Sequence, residues 1–120
     1  MKGDIASLSL DEIAAEFERT CLLQYQAVRS HDNKAYNRLF TEMMKVEAEL
    51  KARDRKDVLA RFYSHANPQV RLHAAGLTLA VHPELSRQVL QTIRDRAEHP
   101  FTIDAGFLLE GSEKGTFVPQ

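Results

Sequence analysis

The stretch NPQVRLHAAGLTLAV, residues 67–81, decides the fold that we predict for this chain. Asn67 can cap a helix with its side-chain oxygen, and Pro68 suits the first helical position because that position needs no N–H donor. At 100° per residue, the apolar side chains of this helix fall on two opposite faces. A helix that is apolar on both sides has neighbours on both sides, so we expect it to be buried. The two faces consist of Val70, Ala74, Leu77 and Val81, and of Leu72, Ala75, Gly76 and Leu79.

Gly76 lies inside this predicted helix, where glycine costs roughly 1 kcal/mol relative to alanine. Close approach of a second helix would offset that cost, whereas the alternative is a tolerated surface glycine. We favour close approach, and we expect Gly76→Leu to destabilise the protein by roughly 1–3 kcal/mol through overpacking.

The same stretch resembles the first helix of a HEAT-type repeat, and the segment from His82 to Ile93 resembles the second helix. The residues that carry the resemblance are Asn67, Pro68, Val70, Arg71, Ala74, Ala75, Thr78 and Leu79. The resemblance implies a small bacterial family of unknown function with a HEAT-like (ARM-type) α-α superhelix. It bears on the fold and hardly at all on activity.

Two earlier helices are predicted from capping residues and apolar spacing. Residues 9–12, Ser-Leu-Asp-Glu, form a capping box in which Ser9 can cap the helix and Glu12 can reach back. The first helix should end near residues 30–31, and the second should start at residue 32 or 33. Their apolar stripes consist of Leu10, Ile13, Ala14, Phe17, Cys21 and Val28, and of Tyr36, Leu39, Phe40, Met43, Val46 and Leu50.

The second helix should break near Arg53, because its stripe would otherwise turn acidic and basic residues toward the core. The alternative is a single long helix, since neither glycine nor proline marks the break. Asp54 can then cap a third helix that ends near His65. Pro83 can open a further amphipathic helix, whose packing side includes Leu85 and Val89, and Pro100 should end it. The buried side of the third helix should consist of Val58, Leu59, Phe62 and Tyr63.

The C-terminal segment is weakly patterned. Asp104 can cap one or two turns through Leu109, and we expect residues 111–120 to be an irregular tail from which Phe117 and Val118 can dock back. Residues 1–8 should form a second tail of a single domain that spans residues 1–120. Because strand-like alternation is absent, we predict an all-α protein. It should be a compact α-α superhelix, or HEAT-like stack, of about five helices plus a short C-terminal helix.

Composition excludes several classes of protein. The 120 residues are 43% hydrophobic and 28% charged, which is typical of a globular chain. The net charge of −1 disfavours charge-driven binding to nucleic acid or to an anionic membrane. The single cysteine, Cys21, cannot form an internal disulfide, no stretch resembles a signal peptide, and none approaches the ~20 apolar residues of a membrane span. We therefore expect a cytoplasmic protein.

Basic residues supply the candidate partner-binding site. Residues 51–61 contain five bases and two acids, so this segment is either a basic ridge for an acidic partner or a solvated helix junction. Arg71 lies on the narrow polar strip of the central helix, where its guanidinium should pair with an acid, with Asp54 and Asp57 as candidates. The alternative for Arg71 is contact with an anion. The candidate partner-binding residues are Arg53, Arg55, Lys56, Arg61 and Arg71.

No motif in the sequence predicts catalysis. The five histidines lack the spacing of a metal site, and no glycine-rich phosphate loop is present. Cys21 lies on an apolar face and should be an inert, buried thiol. We therefore expect no catalytic residue, no metal and no cofactor, and we expect that the protein is not an enzyme.

These observations favour a small module that binds another protein, such as an immunity-type or regulatory partner of a bacterial protein. The alternative is a homodimer that associates through Leu22, Leu23 and residues 107–109, because the adjacent leucines widen the apolar face of the first helix. A nucleic-acid-binding or glycosylase-like HEAT protein is the least favoured hypothesis, since such glycosylases are strongly basic and contain tryptophan, which this chain lacks.

Overall fold

The computed structural model describes the backbone of residues 4–114 and the side chains of residues 4–111. Every element in this part of the chain is helical, which confirms the predicted all-α class. The chain divides into two compact units, residues 1–58 and residues 59–120. The α-helices are α1 (Leu10–Arg29), α2 (Asn33–Ala52), α3 (Pro68–Leu77), α4 (Pro83–Asp95) and α5 (Phe101–Lys114), and the 3₁₀-helices are Ile5–Ser7 and Lys56–Phe62.

The first unit is a hairpin of two long helices, α1 and α2, joined by a short turn. The predicted capping box is confirmed, because the Glu12 N–H donates to Ser9 Oγ at 3.1 Å and the Ser9 N–H donates to Glu12 Oε1 at 2.8 Å. The centres of both predicted stripes are buried. Phe40 is an exception, since half of its surface is exposed. The buried stripe residues are Ile13, Ala14, Phe17, Cys21, Leu39, Met43, Val46 and Leu50.

The break after α2 is confirmed, but the prediction that Asp54 caps a third α-helix is wrong. Arg53 is the C-cap of α2, and Asp54 adopts a left-handed backbone with φ 57°. In this conformation Asp54 ends α2, because the Arg55 N–H turns back to the Leu50 carbonyl at 2.9 Å. The following helix is the 3₁₀-helix Lys56–Phe62, which buries Val58, Leu59 and Phe62 as expected.

Helix α3 is buried on both faces, as the sequence predicts, but it is shorter than expected, and the predicted burial of Val81 is wrong because that residue lies beyond the helix and is 41% exposed. Asn67 Oδ1 accepts from the Gln69 N–H at 2.8 Å, and both Leu72 and Leu79 are buried. The helix ends at Leu77 rather than Val81, because the Thr78 hydroxyl donates to the Ala74 carbonyl at 2.7 Å and the next helix begins at Pro83, six residues after Leu77.

Helices α3, α4 and α5 pack against one another in the second unit. The predicted close approach at Gly76 is confirmed, because a Cβ placed there would lie 3.3 Å from Leu108 Cδ1 on α5. Helix α5 runs to Lys114, so the predictions of one or two turns and of a tail from residue 111 are wrong. The cause is the four-residue repeat of Phe101, Ala105 and Leu109, which are all buried. Phe117 and Val118, which were expected to dock back, lie outside the described residues.

Candidate functional site

The basic residues predicted from sequence are divided between the two units. In the first unit, Arg53 donates from Nε to Glu49 at 2.7 Å and from Nη2 to the carbonyl of Ala6 at 3.1 Å. The guanidinium therefore ties the end of α2 to the N-terminal 3₁₀-helix. These contacts give Arg53 a structural role in this unit.

Arg55 and Lys56 also form ion pairs within the first unit. Arg55 Nε donates to Asp57 at 3.0 Å, and Lys56 Nζ lies 3.2 Å from a carboxylate oxygen of Glu47. The Lys56 side chain is only 6% exposed, so its charge is directed at Glu47 rather than at solvent. Arg61 lies on the surface at the start of the second unit. Because ion pairing neutralises three of these cations, the segment presents less positive charge than its composition suggests.

Arg71 makes polar contacts with both a carboxylate and the backbone. Its guanidinium forms a bidentate pair with Glu98, with Nη1 at 2.8 Å and Nη2 at 2.7 Å from the two carboxylate oxygens. The predicted partners Asp54 and Asp57 are therefore wrong, because the acid comes from the segment after α4, which the sequence did not place beside α3. The hydrogen bonds from Arg71 hold the pKa of Glu98 below its ordinary value.

Arg71 also organises the loop that precedes α3. Its Nε donates to the His65 carbonyl at 2.7 Å, and its Nη2 lies 3.4 Å from the Ala66 carbonyl. The loop is fixed from its other side as well, because the Asn67 N–H donates to His65 Nδ1 at 3.0 Å. One guanidinium thus joins the loop at residues 65–66 to the segment after α4.

These two segments border a groove of about 530 Å³ in the second unit. One wall is the loop at residues 63–66, and Arg71 lies between the loop and α4. The other wall is one face of α4 and its C-cap, since positions spaced by three or four residues share a helical face. This face consists of Leu85, Gln88, Val89, Thr92 and Arg96.

The sequence placed Leu85 on the packing side of α4, and this prediction is wrong. Half of the Leu85 surface is exposed, whereas Ser86, Leu90 and Ile93 form the buried side of the helix. The adjacent apolar residues Val89 and Leu90 were the available signal, because together they widen the apolar face beyond what one neighbouring layer covers.

Three hydroxyl groups beside the groove form a cluster, which we call the hydroxyl cluster. It consists of Tyr63, Thr78 and Ser86. The Thr78 Oγ1 to Ser86 Oγ distance is 2.9 Å, the Tyr63 hydroxyl lies 3.1 Å from Ser86 Oγ, and Tyr63 also contacts Thr78. Since Thr78 donates to the Ala74 carbonyl, its oxygen is left to accept from the other two hydroxyls. The cluster therefore holds the Tyr63 ring as a wall of the groove.

Two observations concern metal ligands and the single thiol. No group of three or more potential metal ligands is found among them. Cys21 is fully buried, and burial raises the pKa of its thiol, which disfavours the nucleophilic thiolate. Separately, no helix within residues 4–114 has the length and apolar character that crossing a membrane requires.

A second surface feature lies on α5, where Ile103 and Phe107 are 74% and 77% exposed. The two residues are four positions apart and so lie on one helical face. In the alternative interface predicted from sequence, Leu22 is 36% exposed and Leu109 is buried. Phe107 is therefore the most exposed of the predicted residues.

An experimentally determined structure is similar to the structure of this chain. The crystal structure of the protein RPA1889 from Rhodopseudomonas palustris is 36% identical and has a TM-score of 0.94, with 99% of this chain and 100% of that chain covered. No curated protein matches the chain. The HEAT-like resemblance is not tested by these comparisons and stays a prediction. The model of a domain of unknown function, DUF2019, matches residues 11–112, and the chain therefore belongs to the DUF2019 family.

Proposed function

We propose that this protein is a non-catalytic interaction module that binds a segment of another protein in the groove of its second unit. The observation that carries the proposal is the face of α4 in the groove, where half-exposed Leu85 lies one turn from Val89 beside polar side chains. Concave surfaces that combine apolar side chains with a few polar groups are typical of binding sites. Such a module would act as a regulatory or immunity-type partner of another bacterial protein.

The chemistry of the groove supports binding rather than catalysis. None of the residues that line it carries a carboxylate, and Arg71 already uses its donors on Glu98 and on backbone carbonyls. His65 Nδ1 accepts a hydrogen bond from the cap of α3, and the Tyr63 hydroxyl belongs to the hydroxyl cluster. General acid–base catalysis needs a proton donor or acceptor that is available to a substrate. The polar groups closest to the groove are instead engaged in holding its walls.

Site-specific photo-crosslinking in living cells tests this proposal. A photoreactive amino acid replaces Gln88, which is exposed in the groove, or Gln26, which is exposed on α1 and serves as the control position. We expect position 88 to form a covalent adduct with another protein and position 26 to form none with it. Identical adducts from both positions, or no adduct from position 88 across growth conditions, would contradict the proposal.

A second candidate function is self-association through α5, and the exposure of Ile103 and Phe107 favours it. Large apolar side chains that are three-quarters exposed on one helical face often mark an interface. Sedimentation velocity over a wide concentration range tests this candidate. We expect a concentration-dependent dimer that Phe107→Glu abolishes, whereas a wild-type monomer at the highest concentration would exclude it.

A further inference from the structure

We infer that the groove recognises an extended segment that carries an apolar side chain and, about five residues away, a carboxylate. This inference rests on the proposed function and names the chemistry of the partner. It follows from how the side chains are ordered along α4, from the charges that line the groove, and from the spacing of the two ends.

The groove face of α4 changes in character along the helix. Leu85 and Val89 make its N-terminal part apolar, Gln88 and Thr92 make its middle polar, and Arg96 provides a cation at its C-terminal end. Leu85 and Arg96 are eleven positions apart, which corresponds to about 16 Å along a helix axis. An extended peptide advances about 3.3 Å per residue, so about five residues span that distance.

The charges favour an acidic partner. The groove residues include Arg71 and Arg96 and no acid. Glu98 compensates the charge of Arg71, since both of its carboxylate oxygens accept from that guanidinium. Arg96 is exposed and close enough to Glu98 to interact with its carboxylate electrostatically, but within residues 4–111 its side chain makes no hydrogen-bonded ion pair. A guanidinium in this position can bind a carboxylate through two parallel hydrogen bonds.

The middle of the face suits a peptide backbone. Gln88 is exposed, and its amide can both donate to a carbonyl and accept from an N–H. The Thr92 hydroxyl donates to the Gln88 carbonyl at 2.9 Å, so its oxygen remains an acceptor for a backbone N–H. These groups would contact the backbone of the bound segment and not its side chains, so the selectivity of the groove should come from its apolar and cationic ends.

Selection from a random peptide library displayed on phage tests the inference, with the full-length protein as the immobilised target. We expect the wild-type protein to enrich peptides with an apolar residue and an Asp or Glu about five positions from it. Arg96→Glu should enrich Lys or Arg at the second position, and Arg96→Gln should lose the preference. The control is Arg94→Glu, another exposed charge reversal on α4 outside the groove, which should keep the wild-type preference.

Affinity measurements on one enriched peptide extend the test. Arg96→Gln should weaken its Kd on the order of tenfold, and added salt should weaken wild-type binding more than it weakens binding to this variant. Enriched peptides without an acid, or the same acidic preference in Arg96→Glu, would overturn the inference but leave the proposed function standing. A library that yields no enriched peptide would overturn both.

Discussion

The two units of this protein differ in how far apart along the sequence the residues of their polar contacts lie. In the first unit, two helices of 20 residues each carry mostly local contacts, such as the capping box of Ser9 with Glu12 and the pair of Arg19 with Glu16, although Arg53 donates to the Ala6 carbonyl 47 positions away. In the second unit, shorter helices are tied by contacts between distant residues. Arg71 and Glu98 are 27 positions apart, and Tyr63 and Ser86 are 23 positions apart.

This difference explains how the groove is formed. Long amphipathic helices pack through their apolar stripes, and their surface ion pairs add little stability. The loop at residues 63–66 has no such stripe, and Arg71 and the hydroxyl cluster hold it instead. The surface proposed to bind a partner thus depends on polar contacts that are buried or partly buried.

The sharpest way to test the contrast is to remove one cation from each unit. Arg71→Ala should lower the free energy of unfolding by about 2–4 kcal/mol, because Glu98 and two loop carbonyls lose their donor in a partly buried site. Arg19→Ala removes a half-exposed cation that pairs with Glu16 three positions away and lies 4.0 Å from Glu42 on α2, and it should change the free energy of unfolding by no more than about 0.5 kcal/mol. Urea denaturation measures both, and equal losses would contradict the contrast.

Within the second unit, the two glycines that pack against neighbouring helices should respond in opposite directions. Gly76→Leu should destabilise by roughly 1–3 kcal/mol, because even a Cβ at this position lies 3.3 Å from Leu108. Gly106→Ala should stabilise by about 0.5–1 kcal/mol, since its Cβ would meet Arg94 at an ordinary 3.8 Å and alanine favours the helix. Thermal unfolding checks both. A melting temperature that Gly76→Leu leaves unchanged would disprove close approach of α3 and α5.

Removing one hydroxyl tests the hydroxyl cluster. Thr78→Val should destabilise by about 1–2 kcal/mol, because the buried Ser86 hydroxyl and the Tyr63 hydroxyl lose an acceptor. The matched control in the first unit is Thr41→Val, whose hydroxyl is exposed and donates to the Asn37 carbonyl over a long 3.4 Å. We expect the control to change stability by no more than about 0.5 kcal/mol in urea denaturation. A Thr78 variant that is as stable as the control would show that the cluster contributes nothing.

The first unit contains a buried polar side chain whose replacement by an apolar one should raise the free energy of unfolding instead of lowering it. Gln24 is fully buried, and within the described residues neither atom of its amide has a hydrogen-bond partner. Gln24→Leu should therefore raise the free energy of unfolding by about 0.5–1 kcal/mol, whereas exposed Gln26→Leu should leave it unchanged. A loss of stability in the Gln24 variant would indicate that an ordered water or another group satisfies the amide.

Much of the fold was predictable because local signals determine it. The capping box at Ser9, the cap at Asn67 and the repeats of apolar residues in α1, α2 and α3 act over one or two turns, and the sequence contains all of them. The C-terminal helix was underestimated for a related reason. Its buried side includes the small residue Ala105, while Ile103 and Phe107 are exposed, so the largest apolar residues gave a misleading face.

The site was less predictable, because it is built from contacts between distant residues. The sequence showed that Arg71 needs an acid but placed that acid at Asp54 or Asp57, since nothing local indicates that Glu98 returns to α3. The exposure of Leu85 likewise depends on which side of α4 its neighbours cover. Such information lies in the packing of helices and not in the periodicity of any one of them.

A double-mutant cycle on Arg71 and Glu98 is the most direct test of this account. With Arg71→Met and Glu98→Gln, alone and together, urea denaturation at pH 7 should give a coupling energy of about 2 kcal/mol. Because the folded-state pKa of Glu98 is lowered, the pair stabilises the protein above the ordinary glutamate pKa of about 4.3, and the coupling should shrink as the pH falls below that value. A coupling energy near zero at pH 7 would contradict the claim that a long-range ion pair holds the second unit and its groove together.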